Sequence, residues 1–351
     1  KLTKLHVQNA AGLIVNPKTG EILAMVGSHD FYDVKNDGQV NVVLQSRQPG
    51  SSIKPITYAL ALSSGLNPNS KIEDSPVCFT SKGQPNYCPK NYDGKFHGTV
   101  TLRTALASSY NIPAVKLLNS YGVSNMITLA KQMGITTWDD PSRFGLSLTL
   151  GGGEVTMMDL ASVYSVFANG GKKIPFNPII SVIGPQGFDF DGRPDPIGSQ
   201  VLDPSVAFQI NSILSDASAR SPAFGTNSIL NLPGPGVAVK TGTTNSLRDN
   251  WTFGYTSDLL ISTWVGNNDN TPMSSVASGI TGASPIWAHT MKAVLGVGPR
   301  LAFATPTGLV KINISCTKIP KYEYFLSGNI PKIDCTPKPG TILETAAATS
   351  Q

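Results

Sequence analysis

The sequence predicts an α+β fold in which the first and last strands share one antiparallel sheet, with a helical subdomain inserted between them. Three observations carry that expectation. A strand pair opens the chain, helical patterns fill its middle, and antiparallel strands with a helix close it, an order that segregates the elements rather than alternating them. Hydrophobic residues make up 40% of the chain and charged ones only 14%, well below the usual quarter, which favours a packed core over disorder. The 34 glycines and 26 prolines supply turns between many elements.

Residues 12–15 are apolar, Asn16-Pro17-Lys18-Thr19-Gly20 carries turn residues, and 21–26 returns as a β-run, so the opening reads as a hairpin. A polar stretch over 28–48 leads to Pro49-Gly50, after which a helix fits 51–62. Pro55 falls in its first turn, where a missing N–H is tolerated, and Gly65 can end it. Pro, Gly, Asn and Lys dominate 67–98, which reads as a long surface excursion. Helical patterns resume at 101–109, 113–121 and 124–133. Another begins at Thr156, where Thr156 and Asp159 resemble a capping box, and stops at Asn169-Gly170-Gly171. One more follows Asp203-Pro204. The period then changes: 237–240, 250–255 and 259–265 read as strands, and 284–295 as a helix with Pro285 at its start. Two domains are expected, 1–300 and a C-terminal extension over 301–351. Its Pro-, Thr- and Ala-rich tail after Cys335 is expected to be disordered.

At 351 residues the chain has length for a sizeable core. Its net charge is +5, but the lysines and arginines are scattered, which argues against a nucleic-acid partner. The first residue is Lys, no signal-peptide pattern follows and no long apolar run occurs, so the chain reads as a piece of a longer protein. Cys78, Cys88, Cys316 and Cys335 form two sequence-local pairs without Cys-x-x-Cys spacing, which argues against zinc. Two short-loop disulfides in an oxidising compartment are the preferred reading, with four free thiols the alternative.

Three short patterns can carry chemistry: Ser51-Ser52-Ile53-Lys54, Ser109-Tyr110-Asn111 and Lys240-Thr241-Gly242-Thr243. Ser and Lys three apart on a helix share a face, and a helix N-terminus offers N–H groups to a developing oxyanion. A serine hydroxyl needs an adjacent base, which Lys54 supplies if burial and a second cation such as Lys240 lower its pKa. The chain contains its own controls. Lys18-Thr19-Gly20 and Ser327-Gly328-Asn329 repeat two of the patterns in turn contexts, whereas Lys240 ends an alternating run, Val237-Ala238-Val239, and can project from a strand into a cleft. His6, His29, His97 and His289 have no ligand spacing, which argues against a histidine-based triad. Gly151-Gly152-Gly153 reads as a tight turn, and Trp251, Tyr255 and Trp264 as sheet core.

Ser-x-x-Lys, Ser-x-Asn and Lys-Thr-Gly in that order resemble the signature of penicillin-binding proteins and serine β-lactamases. The surrounding text narrows the likeness. Arg47-Gln48-Pro49-Gly50-Ser51-Ser52-Ile53-Lys54-Pro55, Asn91-Tyr92-Asp93-Gly94, Asn111-Ile112-Pro113-Ala114-Val115, Leu150-Gly151-Gly152-Gly153-Glu154-Val155-Thr156 and Lys240-Thr241-Gly242-Thr243-Thr244-Asn245, with Arg248-Asp249 and Trp251 after it, resemble class A penicillin-binding proteins from about residue 11 to 295.

That resemblance implies a central antiparallel sheet flanked by helices, with a cleft between sheet edge and helical subdomain. It implies a D,D-transpeptidase that cross-links peptidoglycan stem peptides through a Ser51 acyl-enzyme and is acylated by β-lactam antibiotics. Lys54 is then the base and Ser109 the relay to the leaving amine, while Asn111 holds the substrate amide and Lys240 polarises the serine network. The Thr241-Gly242-Thr243 segment binds substrate, with both threonines on its terminal carboxylate, and the N–H groups of Ser51 and Thr243 form the oxyanion hole. No metal or organic cofactor is implied. The parent is expected to carry a membrane anchor and a glycosyltransferase domain, at the extracytoplasmic face of a bacterial membrane. A D,D-carboxypeptidase or serine β-lactamase would use the same motifs, but no Glu-x-x-Leu-Asn run lies between the second and third, and Glu154 is given a structural role. A β-lactam sensor is the remaining alternative.

Overall fold

The computed structural model describes residues 4, 6–81, 84–179, 181–185, 187, 189–191, 198–234, 236–244, 246–274, 280–296, 302–315 and 321–333. The opening hairpin forms as β1 (Asn9–Val15) and β2 (Ile22–Val26), with a bulge between Ile14 and Val15. Lys18 sits in its turn, donating its N–H to Asn16 Oδ1. The helix expected from residue 51 begins instead as a 3₁₀ turn, Gly50–Ile53, which runs into α1 (Lys54–Ser63). Pro55 explains the difference. It has no N–H to give the Ser51 carbonyl four residues back, and the Lys54 N–H, three residues on, bonds that carbonyl in its place.

The 67–98 excursion is more ordered than its composition suggests. It contains β3 (Lys71–Asp74), β4 (Phe79–Ser81) and β5 (Gln84–Tyr87), and leads into β6 (Gly98–Thr101), which pairs with β3. Cys78 and Cys88 are disulfide-bonded across the β4–β5 hairpin, whereas Cys316, Cys335 and the tail lie outside the described residues. Next come α2 (Leu102–Ala107), α3 (Asn111–Tyr121), α4 (Val123–Met133) and α5 (Met157–Ala168); Thr156 caps the last by accepting the Asp159 N–H. Short ribbons follow, β7 (Lys172–Lys173), β8 (Ser181–Ile183), β9 (Asp189–Asp191) and β10 (Ser199–Gln200). Then come α6 (Pro204–Leu214) and α7 (Ala217–Phe224), the latter with no counterpart in the sequence reading, and β11 (Ala238–Thr243), β12 (Asp249–Tyr255), β13 (Leu260–Gly266) and α8 (Ala283–Leu295). Two compact units divide the chain, Lys1–Thr307 and Gly308–Gln351. The second contains the hairpin β14 (Leu309–Asn313) and β15 (Tyr322–Leu326).

The first and last strands of the first unit do share one antiparallel sheet, in the order β11-β12-β13-β1-β2. Both of its faces are covered. Trp251, Phe253, Tyr255 and Trp264 point into the large core built with α1, α5 and α6, where the Tyr164 ring stacks on Phe253 at 4.8 Å. Val239, Ile261 and Trp287 of α8 pack on the opposite face, where Gly254 leaves room for the indole. Sheet-facing aromatics were expected at Trp251, Tyr255 and Trp264, and all three are fully buried. Within this sheet only β2, an edge strand, exposes most of its residues. Among the described residues, no helix is long and apolar enough to cross a membrane.

Candidate active site

The three sequence-distant motifs meet where the 3₁₀ turn abuts the edge strand β11. Their contact is backbone on backbone. Gly50 takes φ of +54°, and a Cβ there would stand 2.5 Å from the Thr243 carbonyl oxygen; a Cβ on Gly242 would stand 2.3 Å from the Pro49 oxygen. Only glycine permits this approach from both sides. The turn is fastened further by the Trp251 indole, which donates to the Gln48 carbonyl at 2.9 Å. Arg47 donates to the Asn268 carbonyl at 2.6 Å and lies 5.5 Å over the Trp264 ring. Gly151 ends a 3₁₀ turn over 146–150 in the left-handed region and presses on Gly50, so the glycine run is a tight turn as expected. Glu154 is exposed and serves through its carbonyl, which accepts from Thr137 and Trp138.

In a 3₁₀ turn residues i and i+3 eclipse, so Ser51 and Lys54 are brought onto one line. Lys54 is fully buried. Its Nζ lies within hydrogen-bond reach of the carbonyl oxygens of Ser109 (2.5 Å) and Tyr110 (3.1 Å) and of Asn111 Oδ1 (2.6 Å), and 3.4 Å from Ser109 Oγ. Lys240, on β11, donates to the same Ser109 Oγ at 2.9 Å and to the Thr241 carbonyl at 2.8 Å. One hydroxyl therefore sits between two buried amines. Ser51, Ser109, Asn111, Thr241 and Thr243 line a shared cavity of about 320 Å³ with Leu150, Phe224 and Ile280 among its apolar walls.

Burial, then the charge of Lys240, holds the Lys54 pKa well below the usual 10.5, with Asp74 pulling the other way. Lys240 is lowered to about 7 by burial and then by Arg220. That arginine, on α7, donates to the Leu214 carbonyl at 2.9 Å and lies behind β11, 3.5 Å from the Val239 carbonyl. The pairing of Lys54 with Lys240 was anticipated; the third cation was not. No periodicity marks α7, because Pro222 and small polar residues interrupt it.

Two further groups behind the site escaped the motif reading. Asn111 is held by Asn91, whose Oδ1 accepts its backbone N–H at 2.7 Å, and Asn91 in turn donates to Asp74. His97 Nδ1 faces Asp74 at 2.5 Å and Nε2 faces Asp93 at 3.2 Å, so both ring nitrogens are engaged by carboxylates rather than by a serine, which rules out the Ser-His arrangement of a histidine triad here. Asn91 and Asp93 belonged to one of the family-like runs, but nothing in their spacing announced a link to Asn111.

The penicillin-binding protein transpeptidase domain family matches residues 10–284. Penicillin-binding protein 1A of Neisseria meningitidis is 33% identical over 311 residues, 85% of this chain and 37% of that protein. The same-named protein of Rickettsia felis is 30% identical over 336 residues, 89% of this chain and 41% of that protein. The chain thus spans about two-fifths of the length of these curated relatives. Among solved structures, penicillin-binding protein 1A from Haemophilus influenzae superposes with a TM-score of 0.82 at 27% identity, covering 92% of this chain and 54% of that one. PonA1 of Mycobacterium tuberculosis, in complex with penicillin V, superposes with a TM-score of 0.71 at 25% identity, covering 85% of this chain and 81% of that one. The chain belongs to the penicillin-binding protein transpeptidase domain family.

Proposed function

We propose that the chain is the transpeptidase portion of a D-Ala-D-Ala acyltransferase, in which Ser51 is the nucleophile that cross-links peptidoglycan stem peptides and is acylated by β-lactams. The observation that carries this reading is the Ser109 hydroxyl held between the buried amines of Lys54 and Lys240, beside Ser51 in one cavity.

Neutral Lys54 takes the proton of Ser51 Oγ as that oxygen attacks the carbonyl carbon of the penultimate D-alanine. The carbonyl oxygen becomes an oxyanion, stabilised by the backbone N–H groups of Ser51 and Thr243 at about 3 kcal/mol per donor. Collapse breaks the C–N bond. The proton passes through Ser109, polarised by Lys240, to the leaving D-alanine nitrogen. An acceptor amine then attacks the Ser51 ester carbonyl and gives its surplus proton to the same network, and Ser51 recovers its proton from Lys54 as the ester bond breaks. Thr241 and Thr243 bind the terminal carboxylate, Gly242 lets that strand lie against the turn, and Asn111 steadies the substrate amide. An amide nitrogen carries two hydrogens, and the Lys90 carbonyl takes one at 2.7 Å. A β-lactam reacts as the donor does, but its leaving amine stays tethered by the rest of the ring system and shields the ester. The longer parent is proposed to bear a membrane anchor and a glycosyltransferase domain and to act at the extracytoplasmic face.

A hydrolase would activate water instead of admitting an amine. Asp93 is the carboxylate among the described residues of the cavity wall, and it is engaged by His97 and by the Lys95 N–H at 3.0 Å. Exposure to a chromogenic cephalosporin is therefore expected to give a burst of one equivalent followed by slow turnover. Rapid multiple turnover would favour a β-lactamase.

A further inference from the structure

The Ser109-Tyr110-Asn111 segment is a strained corner. Ser109 is a non-glycine residue at φ +61°, a left-handed conformation that persists only where its surroundings enforce it. From the cleft side, Lys54 binds the carbonyls of Ser109 and Tyr110 and the amide of Asn111. What opposes that grip comes from elsewhere in the chain.

Asn111 opens α3, and the first N–H groups of any helix lack intrahelical acceptors. The N-cap position falls to Tyr110, which makes no side-chain cap bond. Asn91, twenty residues earlier, does that work: its Oδ1 accepts the N–H of Asn111 at 2.7 Å and lies 3.4 Å from that of Ile112. Asp74 dictates which way this amide points. A carboxylate can only accept, so the Asn91 NH₂ group must face it, with Nδ2 at 2.9 and 2.7 Å from its two oxygens, and the amide oxygen must face α3. A reversed amide would set oxygen against carboxylate and NH₂ against N–H. The same buried carboxylate accepts the backbone N–H of His97 at 3.0 Å and contacts its ring nitrogen. That ring is stacked flat on Tyr110 at 3.9 Å. One carboxylate thus fixes the partners of both residues that follow Ser109.

Resting on the acyltransferase reading above, we propose that Asp74 and Asn91 are positioning residues for acylation, holding the Ser109 corner so that its hydroxyl and Asn111 meet Lys54 from the far side. Neither contributes a reacting atom. Asp74 has a second effect through its charge: it opposes the lowering of the Lys54 pKa, while Lys240 reinforces it, and His97, Tyr58 and Tyr110 also lie in its field.

The test is the second-order rate of acylation by fluorescent penicillin across pH, with intact-mass stoichiometry and circular dichroism on each variant. Asn91→Ala is expected to acylate about 10- to 100-fold more slowly, at Ser51 and with the pH midpoint unchanged. Asp74→Asn is expected to slow comparably and also to move the acidic limb of the profile to lower pH, because Lys54 loses its neighbouring anion; a purely structural role would not move it. Should Asp74→Asn fail to fold, His97→Ala at a more exposed position replaces it, with a loss of about 3- to 10-fold expected as Tyr110 loses its stack. Variants that acylate within twofold of the parent, or an Asp74→Asn profile with an unmoved limb, overturn the assignment. If the parent chain is labelled at Ser51 while the variants stay fully active, this pairing alone is wrong. If the parent is not labelled, the acyltransferase reading fails with it.

Discussion

Ser51→Ala is expected to reduce covalent labelling by fluorescent penicillin to background, a loss of about a thousandfold or more, as removal of a nucleophile does elsewhere. Neither neighbouring hydroxyl can stand in. Ser52 is buried and its hydroxyl donates to the Pro49 carbonyl at 2.6 Å, turned back into the turn. Ser109 lines the cavity, but its oxygen accepts from Lys240 at 2.9 Å and faces Lys54, which places it to pass a proton along rather than to attack. Loss of a half-exposed hydroxyl costs stability by no more than about 0.5 kcal/mol, so unchanged thermal unfolding should accompany the loss of labelling. Persistent labelling that maps to Ser109 would move the nucleophile and reverse the roles of the two serines.

Lys54→Arg is expected to slow acylation by about 10²- to 10⁴-fold, the range assigned to a positioned general base. Arginine can still donate to the Ser109 and Tyr110 carbonyls but stays protonated at any working pH, so it cannot take the Ser51 proton. Its larger head must fit a site that is fully buried, an overpacking cost of about 1–3 kcal/mol that unfolding experiments would register separately. The pH dependence of the unmodified chain has the same origin. Acylation should slow as pH falls, since a proton on Lys54 removes the base, and burial with Lys240 sets that fall well below pH 10.5. Both amines face one hydroxyl, so the profile reports the pair and not a single lysine. An arginine variant within tenfold of the parent would take Lys54 out of the base role.

Much of this arrangement is visible in the order of residues. A period of two at Val237-Ala238-Val239 locates the strand that carries Lys240, and Pro49-Gly50 marks the start of the turn that bears Ser51 and leads into α1. Thr156 caps α5 as its spacing implies. What stays hidden depends on contacts between distant segments. The three- and four-residue strands over 67–98 are too short and polar to show alternation, and β3 finds β6 only in the fold. Arg220 matters because α7 leads back to β11, which no local pattern in a helix interrupted by Pro222 records. The left-handed Ser109 is likewise invisible, since serine has no preference for that conformation and the corner is imposed by Lys54 and Asn91 together.

The proposed function stands on an unprotonated amine at a helix start that activates the hydroxyl one turn before it. Intact-mass analysis after penicillin exposure, followed by peptide mapping, addresses it most directly. One penicilloyl adduct per chain, on the peptide containing Ser51 and forming faster as pH rises through the titration of the lysine pair, is the expected result. An adduct on any other residue, or a rate indifferent to that titration, would remove Ser51 and Lys54 from their proposed roles.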